Sequence, residues 1–145
     1  MKNKKLVFIL SAVIIIALPI AWYLLSPLFI DNVVEENQVE GDIIYEGEFS
    51  GADSFHQVSG QAQVTEDNGI RYLRLENFES TNGPDLKVYL SEDSNADSYV
   101  SLGELKGNIG SQNYEIPEGA DLEKYSKVLI WCEQFSVLFG EADLS

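Results

Sequence analysis

One cysteine and one histidine are the side chains of this sequence best suited to redox or ligand chemistry. Cys132 is the only cysteine among the 145 residues, so the chain cannot form an internal disulfide, and the thiol must react, bind a prosthetic group or pack in a core. His56 is the only histidine, and a neutral imidazole is a common ligand of metals and haem. Cys132 is therefore a candidate redox thiol, and Cys132 and His56 are candidate cofactor ligands.

The sequence around Cys132 favours packing over reactivity. Residues 128–131 are continuously apolar, and Glu133 follows the cysteine directly. A thiol reacts through its thiolate, which nearby cations promote and apolar or anionic surroundings oppose. Two interpretations of Cys132 stay open from the residues alone, a structural core cysteine and a redox or ligand residue. For His56 the alternative is a turn histidine that makes a single hydrogen bond.

One acidic loop has the spacing of a calcium-binding loop. Its four oxygen-bearing side chains are Asp93, Asn95, Asp97 and Glu104. Ser98 stands where the sharp turn of such a loop needs glycine, so we interpret the segment as a plain acidic loop and predict no metal site. The sequence also has no CxxCH motif, phosphate loop, GxSxG elbow or zinc-protease motif, which excludes covalent c-type haem attachment and argues against a hydrolase.

An uncharged apolar run precedes the region that holds both candidates. Residues 6–30 carry no charged side chain, and three lysines come before them. About 20 helical residues span a bilayer core of about 30 Å, and lysines favour the cytoplasmic side. We predict that residues 1–30 form an uncleaved, single-pass signal anchor in the cell membrane that places the rest of the chain outside the cytoplasm. The alternative is a cleaved signal peptide, for which Pro19 and Ala21 offer the best site.

The negative charge lies entirely after the apolar run. The formal net charge is −15, and because three of the nine basic residues and none of the 24 acidic residues precede residue 31, the later part carries 6 − 24 = −18. Such a charge repels nucleic acids and attracts cations or basic partners. We therefore exclude nucleic-acid binding and expect a solvated acidic surface. Residues 31–42 are polar and acidic without a period, which predicts a linker.

The remaining 43–145 region has the pattern of one antiparallel all-β domain. Short β-branched and aromatic runs alternate with turn residues. The predicted strands cover residues 43–50, 58–66, 70–78, 86–91, 99–105, 112–116, 127–133 and 136–144. Asn68 and Gly69 predict a type I′ hairpin turn, and the apolar run before Cys132 predicts a central strand covered on both faces. Eight such strands indicate a sandwich or barrel.

A set of motifs spread over this region resembles one family, the DM-thirteen domain. In chain order the motifs are residues 47–49, His56 with VSGQAQV at 58–64, LRLENF at 73–78, GPDLKVYLS at 83–91, LGELKGNIGSQNYEIP at 102–117 and VLIWCEQFSVLFGEADL at 128–144. The resemblance implies an electron-transfer domain of cell-surface and secreted proteins. It also implies that Cys132 acts as a redox thiol or as a ligand of a prosthetic group such as haem.

Two functions follow for this chain. The first is a membrane-tethered accessory module of electron transfer outside the cytoplasm that works with a redox partner protein, with Cys132 as thiol or ligand and His56 as helper. The second is a non-enzymatic surface binding or adhesion module. Its β scaffold and acidic face bind a cell-surface component, which could be cations, cell-envelope polymers or a basic protein, and Cys132 is core filling. In neither function is the chain expected to be an enzyme by itself.

Overall fold

The computed structural model describes residues 2–26 and 29–145, and the chain divides at residue 30 into two compact units. The first unit holds helix α1 (Lys2–Leu25). Its stretch Lys4–Tyr23 has a mean hydropathy of 2.5, long and apolar enough to cross a membrane, a test that a signal sequence passes too. The predicted apolar run is therefore helical from residue 6 to residue 25, while Met1 and residues 27 and 28 lie outside the described residues.

The second unit contains eight antiparallel strands, which confirms the prediction of an all-β domain. The strands are β1 (Asp42–Gly51), β2 (Val58–Asp67), β3 (Ile70–Ser80), β4 (Leu86–Ser91), β5 (Tyr99–Glu104), β6 (Ile109–Ile116), β7 (Lys127–Cys132) and β8 (Val137–Asp143). They pair in the order β5-β4-β7-β8-β1-β2-β3-β6. The two outer strands of this order, β5 and β6, contact each other, so the sheet forms a nearly closed barrel.

The core lies inside this barrel and follows the alternation of the strands. Alternate residues of a strand point to the same face of the sheet. The inward-facing residues therefore form one cluster, and five of them have no solvent exposure: Leu73 and Leu75 of β3, Val88 of β4, and Val128 and Ile130 of β7. Strand β7 pairs with β4 on one side and with β8 on the other. Val128, Leu129 and Ile130, which alternate between the two faces of the strand, are all unexposed, so the prediction that the strand of Cys132 is central and covered is confirmed.

Two local predictions have different outcomes. The hairpin between β2 and β3 turns through Asn68 (φ 50°) and Gly69 (φ 82°), the pair of positive angles that a type I′ turn requires, so this prediction is confirmed. Strand β6 begins at Ile109 rather than at the predicted residue 112. Gly110, at φ 105°, is typical of a loop, but here it lies inside the strand.

Because consecutive strands run in opposite directions, the loops that connect them lie alternately at the two ends of the barrel. At the end that we call the loop end lie the connections 52–57, 81–85, 105–108 and 133–136. At the opposite end, called the turn end, lie 68–69, 92–98 and 117–126. Strand β7 runs towards the loop end and finishes there with Cys132, and the 52–57 connection brings His56 to the same end.

The predicted linker also has structure. Residues 31–37, which we call the docked segment, run parallel to β6 through the bridge between Val33 and Ile109. Asp31 lies at the loop end, where its carboxylate accepts hydrogen bonds from the side chains of Asn82 and Asn108 at 2.9 Å each. That residues 31–42 act as a spacer next to a membrane stays a prediction.

Candidate functional site

The thiol of Cys132 lies inside the loop end of the barrel. Its cross-strand partners are Leu86 in β4 and Val137 in β8, and the residue is only 1% exposed and part of the core cluster. The thiol donates a hydrogen bond to the carbonyl oxygen of Pro84, at an Sγ to O distance of 3.0 Å. This contact places a backbone acceptor next to the sulfur.

The turn that presents the Pro84 carbonyl is held from two sides. Gly83 lies so close to Phe139 that an added Cβ would fall 2.6 Å from Cζ of the ring. Asp85 has a positive φ of 56°, and its carbonyl accepts a hydrogen bond from the amide of Glu133 at 3.1 Å. The turn therefore needs glycine at position 83, where Phe139 of β8 approaches. Pro84 and Asp85 then bring the Pro84 carbonyl to the sulfur of Cys132.

Lys87 is the cation that the pairing of β4 with β7 places near this site, and carboxylates neutralise its charge. Lys87, opposite Trp131 in the β4–β7 pair, has its Nζ 2.7 Å from Asp85, 3.2 Å from Glu104 and 3.8 Å from Glu133. The hydrogen bond to Asp85 is the main reason that the pKa of Lys87 lies above its usual value, and burial opposes it. Three carboxylates around one ammonium leave this neighbourhood anionic, which does not promote a thiolate.

His56 has a setting unlike that of Cys132. Its Nδ1 lies 2.7 Å from Oδ2 of Asp53, and Oδ1 of Asp53 accepts the backbone N–H groups of Phe55 and His56 at 2.7 and 2.8 Å. Chiefly the bond to the His56 ring, and then these two amides, lower the pKa of Asp53 to about 2. The His56 side chain is 29% exposed, so the pair is a solvated one.

Cys132 and His56 do not contact each other, but Phe139 lies next to His56 and next to the turn that bonds Cys132. The His56 ring packs on Phe139, with centroids 4.5 Å apart, and Phe139 also lies over Gly83, next to the Pro84 carbonyl that receives the thiol. In the part of the chain that the structure describes, the polar contact of Cys132 goes to Pro84 and that of His56 goes to Asp53. Sequence reasoning did not identify Phe139, Pro84 or Asp53 as members of this site.

Cys132 and His56 do not fit a shared haem or metal in this arrangement. Among residues 2–26 and 29–145, no three His, Cys, Asp or Glu side chains converge as metal ligands would. The Cys132 sulfur is enclosed by core side chains and bonded to the Pro84 carbonyl, and His56, whose Nδ1 bonds Asp53, does not join it as a second ligand. The chemistry that the site itself offers is that of a thiol.

The acidic loop with calcium-like spacing is organised by its own backbone. Oδ1 of Asp93 accepts the amides of Asn95 at 2.8 Å and Asp97 at 3.4 Å. A carboxylate that bonds amides two and four residues on is typical of an Asx-type turn, so the Asp93 oxygen already has partners within the loop.

The family comparison agrees with the motifs along the barrel. A family model described as Electron transfer DM13 matches residues 48–144, a range that contains both Cys132 and His56. The docked segment, residues 31–37, lies outside it. No curated protein and no solved structure matches the chain.

Proposed function

Because the chain belongs to the DM13 electron-transfer family, we propose that it is a membrane-tethered module of electron transfer outside the cytoplasm, with Cys132 as its redox thiol. The family match over 97 residues, 48 to 144, carries the proposal. The apolar helix α1 supports the tether. Since residues 31–145 hold one cysteine and a charge of −18 by composition, a partner must supply the second sulfur and tolerate an acidic surface.

A single thiol can exchange electrons with a disulfide of a redox partner. The thiolate of Cys132 attacks one partner sulfur, an S–S bond forms between the two proteins, and the partner's own S–S bond breaks. The departing partner sulfur takes up the proton that Cys132 lost. Because the Cys132 sulfur is only 1% exposed and bonded to the Pro84 carbonyl, this step requires the 81–85 turn to open locally.

His56 acts in this proposal as a positioning residue. Its ring lies on Phe139, and Phe139 lies over the turn that carries Pro84. The 52–57 connection is held by Asp53 in a solvated pair, which is easier to displace than a core contact. Movement of this connection would uncover Phe139 and loosen the cover of Cys132.

The test uses the full chain and separates location from reactivity. A membrane-impermeant thiol reagent is applied to intact cells that carry the native chain or the variant Asn95→Cys, which adds a thiol in an acidic loop of the turn end. Labelling at residue 95 reports the domain outside the cytoplasm. Labelling of native Cys132 by a water-soluble disulfide, absent in Cys132→Ser, supports the redox thiol, and an inert Cys132 beside a labelled residue 95 contradicts it.

A second candidate function is a surface-binding module in which Cys132 only fills the core. The observation that favours it is the membership of Cys132 in the core cluster at 1% exposure. Under this function Cys132→Ala lowers stability but leaves binding unchanged, and binding to a basic partner weakens as salt screens the acidic surface. Partner binding that is independent of salt, or that is lost in a folded Cys132→Ala chain, contradicts it.

A further inference from the structure

The docked segment is bonded to the edge of β6 along its length. The amide of Val34 donates to the carbonyl of Ile109 at 2.9 Å, and the amide of Glu36 donates to the carbonyl of Ser111 at 2.7 Å. The amide of Ile109 donates in return to the carbonyl of Asn32 at 3.3 Å. Backbone groups at the edge of a sheet attract a further strand, and here the chain's own residues supply it.

The side chain of Glu36 fixes the segment as well. Its carboxylate binds Nζ of Lys106 at 2.8 and 3.0 Å and accepts the amide of Asn113 at 2.7 Å. Burial raises the pKa of Glu36, but the hydrogen bonds from Lys106 and then from Asn113 outweigh it, so that pKa is lowered. The segment is therefore held by ionic contacts in addition to its backbone bonds.

Two glycines allow the segment to come this close. An added Cβ at Gly107 would lie 2.6 Å from the carbonyl oxygen of Asn32, and one at Gly110 would collide with the carbonyl oxygen of Val34. Glycine lets another backbone approach in this way. The fit is therefore specific to this pairing.

Asp31, the first residue of the docked segment, bonds two asparagines of the loop end. Its Oδ1 accepts Nδ2 of Asn82 and Nδ2 of Asn108, at 2.9 Å each. Asn108 is 7% exposed. It also accepts the amide of Asn32 at 2.6 Å and donates to the carbonyl of Ser80 at 3.4 Å. Because buried side-chain amides need hydrogen-bond partners, the segment completes the bonding of Asn108 and links it to the start of the 81–85 turn.

Asn82 belongs to the turn that covers the thiol. It lies two residues before Pro84, whose carbonyl oxygen is 3.0 Å from Sγ of Cys132. Opening of the turn moves Asn82 together with Pro84, because two residues of extended chain reach only about 7 Å. Asp31 cannot follow, since the docked segment is bonded to β6. Opening therefore breaks the bond between Asp31 and Asn82.

We infer that the docked segment is a clamp on the redox site, with Asp31 as a positioning residue that holds the 81–85 turn closed over Cys132. The inference rests on the proposed function, in which Cys132 reacts through opening of this turn. It adds regulation to that site, because the thiol is held back while residues 31–37 are docked and reacts faster when they leave β6. The clamp lies outside residues 48–144, the range that matches the family.

The size of the effect follows from the bond that the clamp adds. When the turn closes faster than the thiol reacts, the observed rate is proportional to the open population. Asp31→Ala removes the acceptor of one hydrogen bond that opening breaks, so Cys132 is expected to react about two- to tenfold faster. Asp31→Asn keeps Oδ1 as an acceptor and is expected to restore a rate close to the native one.

The test measures the reaction of Cys132 with hydroxyethyl disulfide, an uncharged reagent, in the full chain in phosphatidylcholine vesicles without denaturant. Cys132→Ser is the blank. Asp31→Ala, Asp31→Asn and Asn82→Ala are each compared with the native chain. The double variant that combines Asp31→Ala with Asn82→Ala is expected to react no faster than either single variant, because the two substitutions remove the same bond.

Two further variants separate the clamp from charge and from global stability. Glu35→Ala removes an exposed carboxylate of the same segment. Gly69→Ala strains a positive φ of 82° at the turn end, where an added Cβ has open space, and so lowers the free energy of unfolding far from the clamp. Both are expected to keep the native rate of Cys132, because local opening does not require global unfolding.

Equal rates in the native chain and in folded Asp31→Ala overturn the clamp, while a thiol that reacts in both leaves the redox thiol standing. An increase in Glu35→Ala, Gly69→Ala or Asp31→Asn as large as that in Asp31→Ala also overturns the clamp, because the effect would then follow charge or stability rather than the acceptor. A Cys132 that reacts in none of these folded variants overturns the redox thiol and the clamp together.

Discussion

The thiol of Cys132 and the imidazole of His56 lie at one end of the barrel but in opposite physical settings. Cys132 is 1% exposed among core side chains and bonded to a backbone carbonyl, whereas the side chain of His56 is 29% exposed and paired with a solvated carboxylate. The thiol is the group with redox chemistry and is enclosed, while the accessible group has no redox chemistry. The proposed reaction of Cys132 therefore depends on how readily the loop end opens.

The residue common to both settings gives the largest expected effect. Phe139 is 5% exposed and contacts the His56 ring and Gly83, so Phe139→Ala leaves a cavity and lowers the free energy of unfolding by about 3–5 kcal/mol. Chemical denaturation measures the loss. Phe135→Ala, which removes an exposed ring from the neighbouring turn, changes it by no more than about 0.5 kcal/mol. Equal losses in the two variants would show that Phe139 does not hold this end together.

Substitution of the thiol itself gives the next effect. Cys132→Ser puts a hydroxyl in an apolar site but keeps a donor for the Pro84 carbonyl, so we expect a loss of about 1–3 kcal/mol, towards the lower value. Cys132→Ala loses the donor and leaves that carbonyl unpaired. Unfolding in denaturant compares the two variants. If both were as stable as the native chain, the enclosed setting of Cys132 would be wrong.

Substitution of the histidine has a smaller effect on stability. His56→Ala removes a partly exposed ring and one solvated hydrogen bond to Asp53, so the free energy of unfolding changes by about 0.5 kcal/mol or less. The 52–57 connection nevertheless becomes more mobile, which limited proteolysis detects as faster cleavage there. A loss as large as that of Cys132→Ser would contradict the difference between the two settings.

The smallest effect is a local response to acid. The pKa of Asp53 is lowered to about 2 from a usual 3.8, so the Asp53 bonds stabilise the 52–57 connection above about pH 3.8. That stabilisation is lost as the pH falls towards 2. The NMR shifts of the Phe55 and His56 amides follow the transition, and Asp53→Asn removes it. A midpoint near the usual value would show that the Asp53 bonds do not persist in solution.

Much of the fold could be predicted because its signals are local. The apolar run at residues 128–131 indicates a central strand, and Asn68-Gly69 indicates a hairpin, whatever the rest of the chain does. The docked segment could not be predicted in this way. Its parallel pairing with β6 depends on Gly107 and Gly110, far along the chain, while residues 31–42 have the composition of a linker.

The candidate site shows the same limit. The types of Cys132 and His56 single them out in the sequence, and the apolar neighbours of Cys132 correctly indicate burial. The partners depend on turn geometry instead. Pro84 presents its carbonyl because Gly83 allows Phe139 to approach and because Asp85 adopts a positive φ, and no spacing in the sequence encodes that contact.

The reaction rate of native Cys132 with a water-soluble disulfide tests the central claim most directly. The full chain in vesicles is followed with increasing denaturant, well below the unfolding transition, with Cys132→Ser as the blank. A redox thiol predicts reaction through local opening of the 81–85 turn, at a rate that is nearly independent of denaturant and far above the global unfolding rate. A rate that rises with denaturant in step with the globally unfolded fraction would contradict the claim and leave Cys132 as a core residue.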